Sequence, residues 1–244
     1  MAGVLHESYG VYREKISLVV LFSIPFIIAF AIPLLAPLPT YVTVGAIFLR
    51  SASIFVNGNI SLLSLAVITI STIFSLLFLS FAFVLISLLV KSKRTHLKIG
   101  KRAFGSIEAY VGRVFTIFLI YTIAIVFSNM VGYFVGKPAL LAGVAGLILF
   151  AILFYAPSAV VVDDKSVWRS IKDSARLVVH EPQYFILWLV LITIIVSIVD
   201  AVFIFGLGTN AGYPVLVINS LFIVPYFVIF QAEAYMNRFK LLRH

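Results

Sequence analysis

The sequence predicts an all-α integral membrane protein: six transmembrane helices arranged as three hairpins, each preceded by an amphipathic helix on the inner surface. Three observations predict it. Hydrophobic residues make up 63% of the 244 residues and charged ones only 11%, with a mean hydropathy of +1.17. A water-soluble domain of this length has no interior large enough to hide that surface, so lipid must solvate it. The apolar residues also run continuously, instead of in the short alternating stretches that a transmembrane barrel requires. Finally, the basic residues gather between alternate apolar runs, beside segments with the spacing of amphipathic helices.

Residues 5–15 form a short lead-in, with Leu5, Tyr9, Tyr12 and Ile16 on one stripe and Glu7, Arg13 and Glu14 off it. The first span covers Ile16–Leu38, and Pro25 and Pro33 inside it are each expected to kink the helix. Ala29-Phe30-Ala31 resembles a signal-peptide cleavage site. The apolar run continues to Leu38, so the reading is an uncleaved span. Residues 37–59 carry β-branched residues, Arg50 and an Asn57-Gly58-Asn59 turn; too interrupted for a crossing, they read as an outer loop packed on the surface. The second span, Ile60–Val90, exceeds the roughly 20 residues a crossing needs, so it tilts or projects beyond the hydrocarbon.

Lys91–Gly112 is the most basic segment, with Lys91, Lys93, Arg94, Lys98, Lys101 and Arg102, and Ile99, Ala103, Ile107 and Tyr110 mark a second helical stripe within it. Span three covers 113–135. Gly136-Lys137-Pro138 is a tight outer turn, and span four covers 139–160, with Pro157 near its inner end. The third lead-in is the clearest: over Val161–Phe185, Val167, Ile171, Ala175 and Val178 recur at helical spacing with Trp168 beside them. Arg169, Lys172, Asp173 and Arg176 take the opposite face. Asp163 and Asp164 precede its first turn, where carboxylates suit the positive end of the helix dipole, and Pro182 ends it. From Asp163 to Glu181 its charges balance. Asp173 lies one turn from both Arg169 and Arg176, so the face is expected to pair internally and to dock on protein.

Span five covers 184–205, a glycine-rich turn follows, and span six covers 213–234 before a basic tail. The pattern of surface helix, span, turn and returning span recurs as pseudo-repeats of about 5–90, 97–160 and 164–237 within one membrane domain, 1–244. Six spans put both termini on one side. That side receives every Lys and Arg except Arg50 and Lys137, so the expectation is a cell-membrane protein with both termini cytoplasmic. Tyr41, Tyr133 and Tyr213 are expected at the outer boundary, and Tyr110, Trp168, Tyr184, Trp188 and Tyr235 at the inner one.

The same charge distribution excludes nucleic acid as the partner of the net +9, because the basic residues flank spans and form no soluble basic face. The absence of cysteine excludes disulfides and thiolate metal sites, and His6, His96, His180 and His244 form no ligand pair. No metal or cofactor is expected.

Two passages resemble one known family. Tyr155-Ala156-Pro157-Ser158-Ala159-Val160-Val161-Val162, followed by Ser166–Val179 and a new span, is similar to its junction of an apolar, proline-containing run with RS-x-x-x-S-x-x-L-V. Here that junction reads from Arg169-Ser170 through Ser174 to Leu177-Val178. Pro225 and the run Gln231–Arg238 resemble the family's closing tyrosine, Tyr235, and its basic stop. The family is the membrane domain of some glycerophosphoryl diester phosphodiesterases, together with stand-alone bacterial and archaeal relatives. The resemblance implies six helices with interfacial helices. It does not imply the hydrolytic activity, whose residues in the fused enzymes belong to a separate soluble barrel.

Asp200 is the only acidic residue well inside an expected span, in the outer third of the membrane. A carboxylate there costs about 3 kcal/mol on insertion scales, so it marks a site by default. Asn129 and Asn219 fall at similar depth. The expectation is an Arg50–Asp200 pair or a polar cluster of Asp200 with Asn129 and Asn219, which is either functional, a structural lock between repeats, or an Asp that simply reaches outer water. The basic residues Lys91, Lys93, Arg94, Lys98, Lys101 and Arg102 are expected either to hold anionic headgroups or to set topology alone. Gly132-x-x-x-Gly136 fits close helix packing, within the chain or in a dimer.

The expected role is that of a non-catalytic multi-pass membrane protein: a scaffold, an accessory subunit or a factor in envelope homeostasis. Its expected partners are membrane lipids and another membrane protein or subunit. A transporter or lipid-handling protein with a polar site near Asp200 is the alternative. A membrane enzyme would need a convergent catalytic set, which the sequence does not display.

Overall fold

The computed structural model describes residues 2–35, 40–43, 46–49, 62–95, 107–208 and 212–241. Among them the chain is helical almost throughout: α1 (Ala2–Glu14), α2 (Ile16–Leu35), α3 (Leu62–Thr95), α4 (Ile107–Phe134), α5 (Pro138–Leu153), α6 (Ala156–Asp163), α7 (Val167–His180), α8 (Pro182–Leu207), α9 (Gly212–Ile218), a π segment (Asn219–Ile223) and α10 (Val224–Leu241). Five helical stretches are long and apolar enough to cross a membrane: Leu65–Lys93, Ile107–Phe134, Leu140–Asp163, Pro182–Leu207 and Gly212–Asn237. A sixth is added if α1 and α2 count as one broken span. This is the helix inventory of a multi-pass membrane protein.

The axes of α1 and α2 meet at 91° on either side of Lys15, where the sequence separates the lead-in from the first span, and Pro25 and Pro33 lie within one continuous α2. Two other elements differ from expectation. Span four is instead two helices: α5 ends at Leu153 and α6 begins at Ala156, with Pro157 in its first turn, where a missing N–H is harmless. In the second lead-in, Ile107 and Tyr110 belong to the long helix α4 itself, and the stripe residues Ile99 and Ala103 lie outside the described residues. Part of the expected outer loop is a strand pair: β1 (Thr40–Thr43) runs antiparallel to β2 (Ala46–Leu49), with Thr43 opposite Ala46, as its β-branched content favours.

The last span is the post around which the others stand. Within an 18-residue apolar stretch of each span, buried residues make up 67% in Gly212–Asn237, against 11% in Pro182–Leu207 and 17% in Ile107–Phe134. Helix α10 packs against α1, α2, α3, α6 and α8, while α2 lies along α3, and α4 lies along both α3 and α5. The main core joins Val19 and Phe26 of α2, Val84 and Ile86 of α3, Val114 and Ile117 of α4, Val160 of α6 and Ile229 of α10. By contrast Ile186, Val190, Ile194, Ile198, Val202 and Phe205 of α8 are all exposed, three or four residues apart over a broad side of the helix. Such a stripe is stable only against lipid or another protein.

Two glycines have distinct physical roles. Gly136, at φ +74°, closes α4: Lys137 N–H donates to the Gly132 carbonyl at 2.8 Å and Gly136 N–H to the Tyr133 carbonyl at 3.1 Å. That is the Schellman pattern, and a residue with a Cβ is strained there. Gly136 is thus a helix cap with nothing within 4 Å of a Cβ added to it, while Gly132, one turn earlier, is buried. The close approach is at Gly146 of α5, where an added Cβ would stand 3.1 Å from Ile125 Cδ1 and 3.7 Å from the Tyr121 hydroxyl. Gly146→Leu is therefore expected to lower stability by about 1–3 kcal/mol through overpacking. Gly143→Ala, with open space around the new methyl, should leave stability unchanged or raise it. Thermal unfolding of the two variants in one detergent checks this.

Candidate functional site

Polar chemistry concentrates at the end of the bundle where α6 hands over to α7. The four last carbonyls of a helix lack intrahelical donors and form the negative end of its dipole. Asp163 and Asp164 therefore sit unfavourably, as the last residue and the C-cap of α6, whereas the sequence places them at the favourable start of α7. The chain compensates with cations from other helices. Lys91 of α3 donates to the Val161 carbonyl at 2.8 Å. Arg113 of α4 contacts the Asp164 carboxylate at 2.7 Å and reaches the Asp164 and Lys165 carbonyls at 3.4 Å. Asp164 itself turns the chain in the left-handed region, at φ 54°.

Lys165 then fixes the whole junction. Its ammonium is 2.7 Å from Asp163 Oδ2 and 2.8 Å from Asp173 Oδ2 on α7. The Tyr235 hydroxyl of α10 donates to the same Asp163 oxygen at 2.6 Å, and Lys165 donates to that hydroxyl at 3.4 Å. Asp173 thus pairs with Lys165 rather than with Arg169 or Arg176, because the chain before α7 folds back and delivers a cation along the helix side. Arg169 and Arg176 stay exposed, as does Lys172.

The buried seam of α7 is also rotated from the expected stripe. Ser170 and Ser174 are wholly buried, with Val167, Ile171, Leu177 and Val178 packed around them, while Trp168 is 75% exposed. Ser174 Oγ accepts the Tyr155 N–H at 2.9 Å, supplying the partner that this amide loses where α5 breaks into α6. The second serine of the junction motif therefore has a structural task.

The other aromatics expected near the inner boundary also pack against protein. Tyr110, Tyr184 and Tyr235 are buried, Trp188 donates its indole N–H to the Phe227 carbonyl at 3.0 Å, and Tyr184 accepts from Asn237 at 3.0 Å. Of the basic segment, Lys91 is committed to α6, and Lys93 pairs with Glu14 at 2.6 Å, which ties the end of α1 to the end of α3. The side chain of Arg94, and Lys98, Lys101 and Arg102 altogether, lie outside the described residues.

The expected intramembrane cluster falls on three elements. Asp200 is half-buried on α8, one turn beyond Val196, which packs with Ile223 and Phe227. Asn219 is wholly buried at the head of the π segment, where the Val224 N–H bonds back to the Asn219 carbonyl just before Pro225. Neither side-chain atom of Asn219 finds a partner among the described residues. Asn129, 7% exposed, donates to the Ile125 carbonyl of its own helix at 3.2 Å. Helix α8 packs on α10 and the π segment, so the Asp200 and Asn219 elements adjoin; α4, which carries Asn129, packs along α5 and α3. Arg50 lies outside the described residues.

Sequence reasoning passes over Glu233, which falls at the edge of the expected sixth span yet is only 1% exposed on α10. The adjacent Gln231, 6% exposed, gives this helix a second buried polar residue. No group of three or more His, Cys, Asp or Glu able to hold a metal ion occurs among the described residues. Comparison of the chain with protein-family models, curated proteins and solved structures returns no match.

The junction should be measurable as a lock. Tyr235→Phe removes one hydrogen bond to a charged acceptor and is expected to cost about 1.5–3 kcal/mol, read as a lower unfolding midpoint in detergent. Tyr9→Phe, whose ring is 54% exposed, should leave the midpoint unchanged.

Proposed function

We propose that this chain is a non-catalytic multi-pass protein of the cell membrane, a scaffold or accessory subunit, or a factor in envelope homeostasis, with both termini cytoplasmic. One observation carries the reading. At the end where charged side chains gather, Lys91, Arg113, Asp163, Asp164, Lys165, Asp173 and Tyr235 are spent on one another and on helix ends. A reaction centre keeps a nucleophile, base or electrostatic donor turned toward a cavity; these groups hold helices in place. The three-hairpin layout belongs to the same proposal, supported by α1 lying at 91° to α2 and by the amphipathic α7 between two spans. So does kinship with the membrane domain family, which rests on the junction and closing-tyrosine residues quoted above. The exposed apolar face of α8 offers a partner subunit a place to pack.

The test is purification of the full chain in mild detergent after crosslinking in the membrane. A polypeptide partner recovered in fixed stoichiometry, and lost when Ile194 and Ile198 are both changed to Trp on the α8 face, is the expected result. Recovery of the chain with lipid alone would sink the subunit reading.

A specific observation favours a second reading, that of a transporter or lipid-handling protein. Asn219, buried and without side-chain partners among the described residues, opens a π segment that packs against the helix of Asp200. Single π turns in α-helices recur at functional sites. Under this reading Asp200→Asn abolishes a solute or lipid flux measured in proteoliposomes while the protein still folds. Equal flux with wild-type and variant chains would remove it.

A further inference from the structure

The charges of α7 and its approach balance in sequence, and the structure divides them. Asp163 and Asp173 are partly buried and held by Lys165 and Tyr235, and Asp164, itself exposed, is paired with Arg113. Arg169, Lys172 and Arg176 are exposed, and none of them is ion-paired among the described residues. Ordered around the helix at 100° per residue, α7 has three sectors. Val167, Ser170, Ile171, Ser174, Leu177 and Val178 face the protein. Trp168, Ala175 and Val179 form the next stripe, and Lys172, Arg176 and Arg169 follow. Trp168 is 75% and Val179 76% exposed, three turns apart on their stripe.

We propose that this outward face of α7 binds the headgroup layer of an anionic phospholipid bilayer, with Trp168 and Val179 in the acyl boundary and Lys172, Arg176 and Arg169 on the phosphates. Three facts converge on lipid as the occupant. The helix joins the end of one apolar span, Leu140–Asp163, to the start of another, Pro182–Leu207, so it runs where headgroups lie. An exposed indole beside an exposed valine is the apolar half of an interfacial helix, and the adjacent basic sector is its polar half. The three cations of this face have no acidic partner among the described residues because Asp163, Asp164 and Asp173 pair with Lys165 and Arg113 instead. The basic segment after α3, the more obvious lipid candidate in the sequence, has Lys91 and Lys93 engaged with the protein.

The full chain is reconstituted in phosphatidylcholine vesicles containing equal mole fractions of dibrominated phosphatidylglycerol or dibrominated phosphatidylcholine. Quenching of Trp168 is taken as the difference between the wild-type chain and Trp168→Phe, whose exposed ring is removed without touching the core. The expected result is quenching by both lipids, with a relative association constant about five-fold higher for phosphatidylglycerol. The preference should fall as salt rises and disappear in Arg169→Gln/Lys172→Gln/Arg176→Gln, while quenching by phosphatidylcholine persists. Equal quenching by the two headgroups overturns the proposal, as does a preference that survives the triple change. Absence of quenching by either lipid also overturns it and gives the face to water or to a protein.

Discussion

The arrangement depends on a single carboxylate oxygen. Asp163 Oδ2 receives the Lys165 ammonium and the Tyr235 hydroxyl, and through Lys165 it is linked to Asp173. Those bonds connect α6, the turn, α7 and α10 at one point. The cluster sits partly shielded, with the Asp163 side chain 15% and the Lys165 side chain 26% exposed, so each bond is screened less than a surface pair would be. Removing one member leaves the others charged and underbonded, which costs more than the bond itself. The placement of α7 follows from this. Held by Asp173 on one side and by the Ser174–Tyr155 bond beneath, the helix cannot roll, and its Trp168 stripe keeps one direction.

The spans are legible in the sequence because their signal is local. Each needs only a run of apolar residues, and the expected 184–205 and 113–135 fall close to Pro182–Leu207 and Ile107–Phe134. The turn at Gly136-Lys137-Pro138 is equally local: glycine supplies the left-handed cap and proline opens the next helix. Partnerships are not local. The i, i+4 rule assigns Asp173 to Arg169 or Arg176, yet Lys165 takes it, because only the fold brings the turn back along the helix. Buried serines mislead in the same way. Ser170 and Ser174 count as polar in a periodicity argument, but an amide freed by a helix break needs a buried hydroxyl. Of the candidate site, Asp200 and Asn219 are readable as isolated polar residues in apolar runs, whereas Tyr235, Glu233 and Arg113 acquire meaning only from what they face.

The π turn and the α5–α6 break are two solutions to the same difficulty. Pro225 and Pro157 each remove an amide and crowd a carbonyl one turn earlier. Before Pro225 the helix widens by one residue and stays continuous, while at Pro157 it ends and restarts. The continuous solution suits the central post, which must contact five neighbours along its length.

The identity of that post has a consequence for how the bundle is made. It is the most buried of the five and carries the buried Asn219, Gln231 and Glu233, yet it follows the other four in sequence. Without this helix, the faces of α2, α3 and α6 that it covers would stand open to lipid. Much of the buried polar burden comes with the helix that closes the groove, although Asn129 on α4 and Asp200 on α8 precede it. Insertion and packing of the last span are thus one event: its side chains, too polar for hydrocarbon, become soluble in the membrane at the moment the protein encloses them.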